Sequence, residues 1–427
     1  MACSGGLWGG KRMADISGKP TVLIIGAGPA GSSAALRLAM SGLRPVLIDK
    51  ATFPRDKVCG DGIPQKVLHL LPQLGLNPDE VKDLGFPIFG MEFYGPQGQR
   101  LALGAEASRS AAKSFCIPRK IFDYFLFRAA AARAGDVLSG FKAVHLERRG
   151  QQWELFLRDV KTGKERRLTA DIILAADGAT SLLVRKALHL SISSDRFYYG
   201  LRQYFSGGPF PETVRIIYDA RLLPGYAWLF PVSRTRANVG IMVQRNALQA
   251  KQGLPLQSLF DQIIHENDAM RRLLGQAQAE ERYGGALLPL GSVPGKRVSD
   301  GFLAIGDAAA FVNPLSGGGI YYAMQSGLLA AEAIIRAIGK GDWSARGLHA
   351  YEAEWRKRFL PGFKVADGMR RWLSSPRKTR HLFDGLKKRG SLAALFVRVY
   401  GQPLPRFFYL RPAFWLSVQA ARFALKK

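Results

Sequence analysis

The sequence predicts an α/β protein: a Rossmann-type nucleotide-binding domain, an interleaved antiparallel-sheet domain and a C-terminal helical extension. Three observations predict it. An apolar run, Thr21-Val-Leu-Ile-Ile25, leads into Gly26-Ala-Gly28-Pro-Ala30-Gly31 and then a helix-forming stretch. A second glycine-rich segment carries Gly306-Asp307, 280 residues after Gly26. Strand-like stretches rich in β-branched and aromatic residues fill much of the interval between them.

The elements follow in order. Residues 21–25 form a continuous apolar run, as expected of a buried parallel strand. Residues 32–42 are small and apolar and close on glycine, which reads as a helix. Residues 44–49 make a second strand and complete a βαβ unit. Residues 86–115 are strand and turn material. Residues 118–134 form an amphipathic helix with Ile121, Phe122, Phe125, Leu126 and Ala129 on one face. Residues 153–157 and 167–173 suggest an antiparallel pair turning at Lys161-Thr-Gly-Lys164, and 172–176 another buried strand. Stretches 214–218 and 239–243 are strands, 256–275 is helical, and from 341 onward the chain is helical, basic and aromatic. The expected organisation is a disordered leader over 1–19 and a discontinuous nucleotide domain over 20–85, 116–190 and 284–340. A substrate sheet takes 86–115 and 191–283, and a basic helical extension takes 341–427.

A chain of 427 residues with 47% hydrophobic and 22% charged residues is a folded globular protein with room for two or three packed units. Its net charge of +28 predicts an anionic partner. The excess is uneven: residues 356–427 hold 18 Lys+Arg against 2 Asp+Glu, a net of +16. Cys3, Cys59 and Cys116 offer neither a disulfide framework nor a metal-ligand spacing, so no metal is expected and a reducing compartment fits. The first twenty residues lack a secretory apolar region, and Met13 is an alternative start. No uninterrupted stretch has the length of a membrane span. The expectation is a cytoplasmic protein.

The first glycine signature has a defined chemistry. Gly26 permits a tight turn, Gly28 lets backbone approach a pyrophosphate, and Gly31 lets the helix pack on the sheet. The helix N-terminus adds free N–H groups and a partial positive charge. Asp49, 23 residues after Gly26, ends the second strand where a carboxylate accepts from ribose hydroxyls, and Ala30 and Lys50 complete the expected contact set. This signature does not separate FAD from NAD.

Later motifs separate them. The strand Asp171-Ile-Ile-Leu-Ala-Ala ends in Asp177-Gly178, and a second strand ends in Gly306-Asp307. This pairing resembles flavoproteins with the p-hydroxybenzoate hydroxylase-type fold. The resemblance implies FAD, with Asp307 on its ribityl chain and Arg119 close to it. It also implies that Pro314, Gly317, Gly318, Gly319 and Ile320 bring backbone N–H groups to the isoalloxazine edge.

Two further segments narrow the family. Lys57-Val-Cys59-Gly60-Asp61-Gly62 and Tyr226-Ala-Trp228-Leu-Phe230-Pro231, together with the Gly306–Gly319 segment, resemble the geranylgeranyl reductase family. That resemblance covers roughly 20–340 and implies reduction of isoprenoid double bonds by reduced FAD, with NAD(P)H as electron donor. Tyr226, Trp228 and Phe230 alternate, so they share one strand face and could line an apolar cavity. Cys59, Tyr226 and Trp228 form the candidate catalytic set, with Cys59 placed to tune the flavin or gate substrate. The alternative is an FAD-dependent monooxygenase, hydroxylase- or halogenase-like, on an apolar or aromatic substrate. A non-enzymatic flavin-bearing binding protein is a further class. In the tail, cations from Arg370 to Arg389 interleave with Trp372, Phe383 and Leu386, which favours an anionic membrane face over nucleic acid as partner.

Overall fold

The computed structural model describes residues 19–103, 112, 114–249, 255–280, 283–388, 396 and 400. Its nucleotide domain is a six-stranded sheet in the order Val298–Ser299, Phe302–Ala304, Ile172–Ala175, Val22–Ile25, Val46–Asp49, Asp136–Ser139. All pairings are parallel except the short edge strand Val298–Ser299. The central strands are buried along their length, which is why they read as unbroken apolar runs rather than alternating ones. Strands from opposite ends of the chain thus become neighbours: Leu174 pairs with Ile24 on one side and Leu303 on the other.

Two helices clamp this sheet. Pro29–Ala39 follows the first strand, and Ile320–Gly339 lies against it. A Cβ at Gly327 would stand 2.3 Å from the Ala30 carbonyl oxygen, so the two backbones approach as closely as glycine allows. The Ser326 hydroxyl accepts from the Gly306 N–H at 3.0 Å and ties the second helix to the end of strand Phe302–Ala304. The helix Arg119–Ala131 differs from its sequence pattern. Ile121 is 41% exposed, and Asp123 takes the buried position because it pairs with Arg119.

The second sheet has eight strands. Its core order is Phe197–Ser206, Arg236–Gln244, Tyr226–Pro231, Thr213–Ile217, Gly90–Tyr94, Arg100–Leu103, with Gln278–Ala279 and Gly284–Pro289 both on the first strand. It is not wholly antiparallel: Thr213–Ile217 runs parallel to Gly90–Tyr94. The chain leaves this sheet after Arg100–Leu103, helps to build the nucleotide domain and returns, and such a long excursion permits a parallel neighbour. The strands Phe86–Ile88 and Ser114–Cys116, expected in the substrate sheet, pair in a small sheet with Gly62–Pro64 at the junction. Alternation sorts the two faces. Ala227 and Leu229 pack under Leu259, Phe260 and Ile263 of helix Leu256–Glu266, while Tyr226 and Trp228 face the other way.

The C-terminal region is not a detached appendage. Phe359 and Phe363 of helix His349–Leu373 pack on Phe311 and Tyr322, with Phe363 4.7 Å from the Tyr322 ring. Phe383 and Leu386 of helix Pro376–Lys388, with Phe396 and Tyr400, join the Tyr226–Trp228 face. Arg370 is buried and bound to Asp367 at 2.8 Å. Three residues expected to meet a membrane (Arg370, Phe383 and Leu386) are therefore interior, because the substrate sheet needs a cover on that face. Phe407, Phe408, Tyr409, Phe414 and Trp415, also part of that expectation, lie outside the described residues.

Candidate active site

The Gly26–Gly31 turn is set by contact distances. Gly26 has φ of 107°, and a Cβ there would lie 2.2 Å from the Ala176 carbonyl oxygen. A Cβ at Gly31 would lie 1.8 Å from the Gly26 carbonyl oxygen. Gly28 instead faces open space bounded by Arg55. Asp49 holds the turn from below: its Oδ2 accepts from the Ala27 N–H at 2.7 Å and its Oδ1 from the Ala51 N–H at 2.8 Å. Both oxygens keep a lone pair for a ligand hydroxyl.

These residues open onto a cavity of about 750 Å³, large enough for a sizeable organic ligand. Gly26, Gly28, Ala30, Asp49, Lys50 and Asp177 line one end, and Arg119, Asp307, Gly317, Gly318, Gly319 and Ile320 line its middle. Cys59, Tyr226 and Trp228 wall the far end with Phe230, Met242 and Leu288. Gly31, Gly306 and Pro314 shape the cavity from behind without lining it. Gly31 is packed on the turn, Gly306 adopts φ of 60° with its Cβ position 2.9 Å from Ala30 Cβ, and Pro314 is buried in the loop.

Charge in the wall is organised in pairs. Arg119 is not a solvated helix-end cation. It is buried and grips Asp123 in a fork, Nε to Oδ1 at 2.6 Å and Nη2 to Oδ2 at 2.7 Å. Arg55 adds a third contact to Asp123 at 2.6 Å. Burial works against the Asp123 charge, but the two guanidiniums hold its carboxyl below the usual range. Burial works against the Arg119 charge, and Asp123 and, to a lesser degree, Cys59 sustain it. Lys57, the first residue of the Lys57–Gly62 segment, donates to Asp307 Oδ2 at 2.8 Å. Burial works to raise the Asp307 carboxyl, but Lys57 and Arg119 together hold it below its ordinary range.

A polar cluster that the sequence did not reveal lies behind Cys59 and Trp228. Asp61 is buried at a left-handed φ of 66°. Its Oδ2 accepts from the Tyr204 hydroxyl at 2.6 Å and from Asn238 Nδ2 at 2.7 Å. Asn238 Nδ2 also donates to the Cys59 carbonyl at 2.8 Å, and its Oδ1 accepts from the Trp228 indole N–H at 3.0 Å. One amide thus fixes the aromatic face to the Cys59–Asp61 loop. Burial pushes the Asp61 carboxyl up to about 6. The hydroxyls of Tyr218, Tyr226 and Tyr400 gather nearby and influence one another's ionisation. Tyr226 donates to the Ser316 carbonyl at 2.5 Å, and burial pushes its hydroxyl up to about 12. Tyr400 lines the cavity, and its buried hydroxyl adjoins those of Tyr218 and Tyr226 without a hydrogen bond of good geometry among the described residues.

Residues 19–202 match the FAD binding domain family. The chain is 30% identical over 347 residues to digeranylgeranylglycerophospholipid reductase of Methanocaldococcus jannaschii, covering 79% of this chain and 82% of that one. The chain belongs to the geranylgeranyl reductase family of FAD-dependent oxidoreductases. It is also 28% identical to menaquinone reductase of Mycolicibacterium smegmatis over 89% of this chain and 91% of that protein. Among solved structures, a geranylgeranyl bacteriochlorophyll reductase-like protein from Thermoplasma acidophilum aligns with TM-score 0.77 at 22% identity, covering 95% and 99% of the two chains. A myxobacterial FAD-dependent halogenase aligns with TM-score 0.72 at 22% identity over 95% and 97%. These two likenesses concern the fold alone.

The residues of this flavoprotein fit the cofactor. Asp177 lines the cavity, its Oδ1 is buried with no partner among the described residues, and burial pushes its carboxyl up to about 6. An acceptor left unsatisfied in this way suits a ligand hydroxyl or N–H. The open approach at Gly28, where the neighbouring glycines are sterically closed, leaves room for phosphate at the start of helix Pro29–Ala39.

Proposed function

We propose that this oxidoreductase saturates carbon–carbon double bonds of an isoprenoid chain, with NAD(P)H as the electron donor. The observation that carries the reading is the continuity of one cavity. It runs from the glycine turn to an apolar end walled by Tyr226, Trp228, Phe230, Met242 and Leu288. FAD, when bound, supplies the hydride for one alkene carbon. The protein must then deliver a proton to the other carbon and stabilise positive charge as it develops. The faces of Tyr226 and Trp228 do the second by attraction between cation and ring, which strengthens where water is excluded. Tyr400 suits the first, because its buried hydroxyl lies at the cavity beside those of Tyr218 and Tyr226 and makes no hydrogen bond of good geometry among the described residues, whereas the Tyr226 proton is engaged by Ser316. Asn238 keeps the indole of Trp228 in place. Cys59, beside Arg119, lies where the cofactor and substrate ends of the cavity meet.

The relatives named as reductases of digeranylgeranylglycerophospholipid and menaquinone support a lipid-borne substrate. We assign the chain to the cytoplasm, resting on the inner membrane face. No helix among the described residues is long and apolar enough to cross a membrane. Helix Pro376–Lys388 buries Thr379, Phe383 and Leu386 and exposes Arg377, Lys378, Lys387 and Lys388, a surface suited to attraction by anionic headgroups rather than insertion.

The test is anaerobic. FAD-loaded protein is reduced with dithionite or NADPH and mixed with geranylgeranyl diphosphate while the flavin band is followed. Return of the oxidised band without oxygen supports the reading. Return only when oxygen is admitted with substrate moves the protein to the monooxygenase class.

A further inference from the structure

Lys66 stands apart from the other cations in this wall. Arg55, Lys57 and Arg119 are each bound to a carboxylate, Asp123 or Asp307, and Lys50 and Lys142, which also line the cavity, are exposed to solvent. Lys66 lines the same cavity, yet among the described residues its ammonium meets only aromatic rings: Nζ lies 4.3 Å from the centre of Tyr321 and 5.2 Å from that of Tyr322. Burial alone pulls its pKa down to about 7, with no opposing charge acting on it. Both tyrosines belong to the first turn of helix Ile320–Gly339, directly after the Gly317–Gly319 run that also lines the cavity. The first N–H groups of a helix have no partner within the helix and carry partial positive charge. A lysine without a counter-ion among the described residues and a helix start therefore converge on one wall. Asp307 stands at the N-cap Gly319, its Oδ1 3.3 Å from the Cβ position there, so the charge left for a ligand to balance is that of Lys66.

We propose that Lys66, held against the first turn of helix Ile320–Gly339, forms an anion subsite that holds an anionic oxygen of a bound group. Two sources carry that chemistry: the pyrimidine edge of reduced FAD, and the diphosphate of a prenyl substrate. The second source rests on the isoprenoid reading above; the first does not. The ring faces of Tyr321 and Tyr322 hold the ammonium in place before the anion arrives.

The test uses the FAD-loaded full chain as wild type, Lys66→Met and Lys66→Arg. Two quantities are measured: the two-electron midpoint potential without substrate, and calorimetric affinities for geranylgeranyl diphosphate and geranylgeraniol. If the flavin is the anion, Lys66→Met weakens the hold on reduced relative to oxidised FAD about tenfold, which lowers the potential by about 30 mV. If the substrate head is the anion, the potential stays unchanged. Lys66→Met then binds the diphosphate about tenfold more weakly and the alcohol as tightly as wild type does. Lys66→Arg retains wild-type values in either case. The proposal is overturned if Lys66→Met stays within twofold of wild type in both measurements, or if Lys66→Arg loses as much as Lys66→Met. Wild-type protein that binds neither prenyl compound would instead remove the isoprenoid reading, and the potential then decides the role of Lys66.

Discussion

Replacing Asn238 by alanine should destabilise the protein by about 3 kcal/mol, and the origin of that figure is specific. The Asn238 amide is fully buried and serves three partners: the Trp228 indole N–H, the Cys59 carbonyl and the Asp61 carboxylate. Asp61 keeps the Tyr204 hydroxyl, but the other two groups lose the side-chain partner that joins them. A buried polar group left unsatisfied costs about 1–3 kcal/mol, and partial relaxation brings two such groups to roughly 3 kcal/mol together. Urea unfolding of the FAD-loaded protein, followed by far-UV circular dichroism, measures the loss. Fluorescence should report a freer Trp228 in the same samples. A change below about 0.5 kcal/mol, within the range of an ordinary surface substitution, would show that Asn238 does not tie the aromatic face to the Cys59 loop.

Three further outcomes follow from the same geometry. Asp61 folds with a pKa of about 6, above its ordinary value of 3.8, so its contribution to stability is fully present below about pH 4 and is lost as pH rises through 6. That is worth about 3 kcal/mol between those limits, and Asp61→Asn should flatten the pH dependence of unfolding by that amount; an unchanged slope would refute it. Asp177 should lose its proton when a donor on FAD reaches its orphaned oxygen, so calorimetry at pH 6 in two buffers should show release of up to about half a proton on cofactor binding, and net uptake would contradict the assignment. Tyr400→Phe should slow alkene saturation by about 100-fold while leaving FAD affinity unchanged, and a wild-type rate would exclude Tyr400 as the proton source.

The nucleotide half of the molecule was legible in the sequence because its constraints are local. The requirement for glycine at positions 26 and 31 comes from carbonyl oxygens a few residues or one strand away, and unbroken apolar runs mark strands buried on both faces. The aromatic wall was legible for a similar reason: a period of two puts Tyr226, Trp228 and Phe230 on one face whatever the partners of the strand. What was not legible depends on contacts between distant segments. Lys57 meets Asp307 across 250 residues, and Asn238 reaches Asp61 across 177. Nothing in the neighbourhood of either residue in sequence announces its partner. Three residues of the tail, Arg370, Phe383 and Leu386, misled for a physical reason as well. Aromatics among cations fit an interfacial helix and a helix packed on a sheet equally well, and only the position of Phe383 against Tyr218 distinguishes the two.

The central claim is that one cavity brings FAD and a prenyl chain together for alkene reduction. Mass spectrometry of the organic products from an anaerobic reaction of reduced, FAD-loaded protein with geranylgeranyl diphosphate tests it most directly. The account predicts a gain of about two mass units for each double bond saturated, one hydride and one proton. Recovery of unchanged geranylgeranyl diphosphate without oxygen, and of an oxygenated or halogenated product only once oxygen is present, would contradict it.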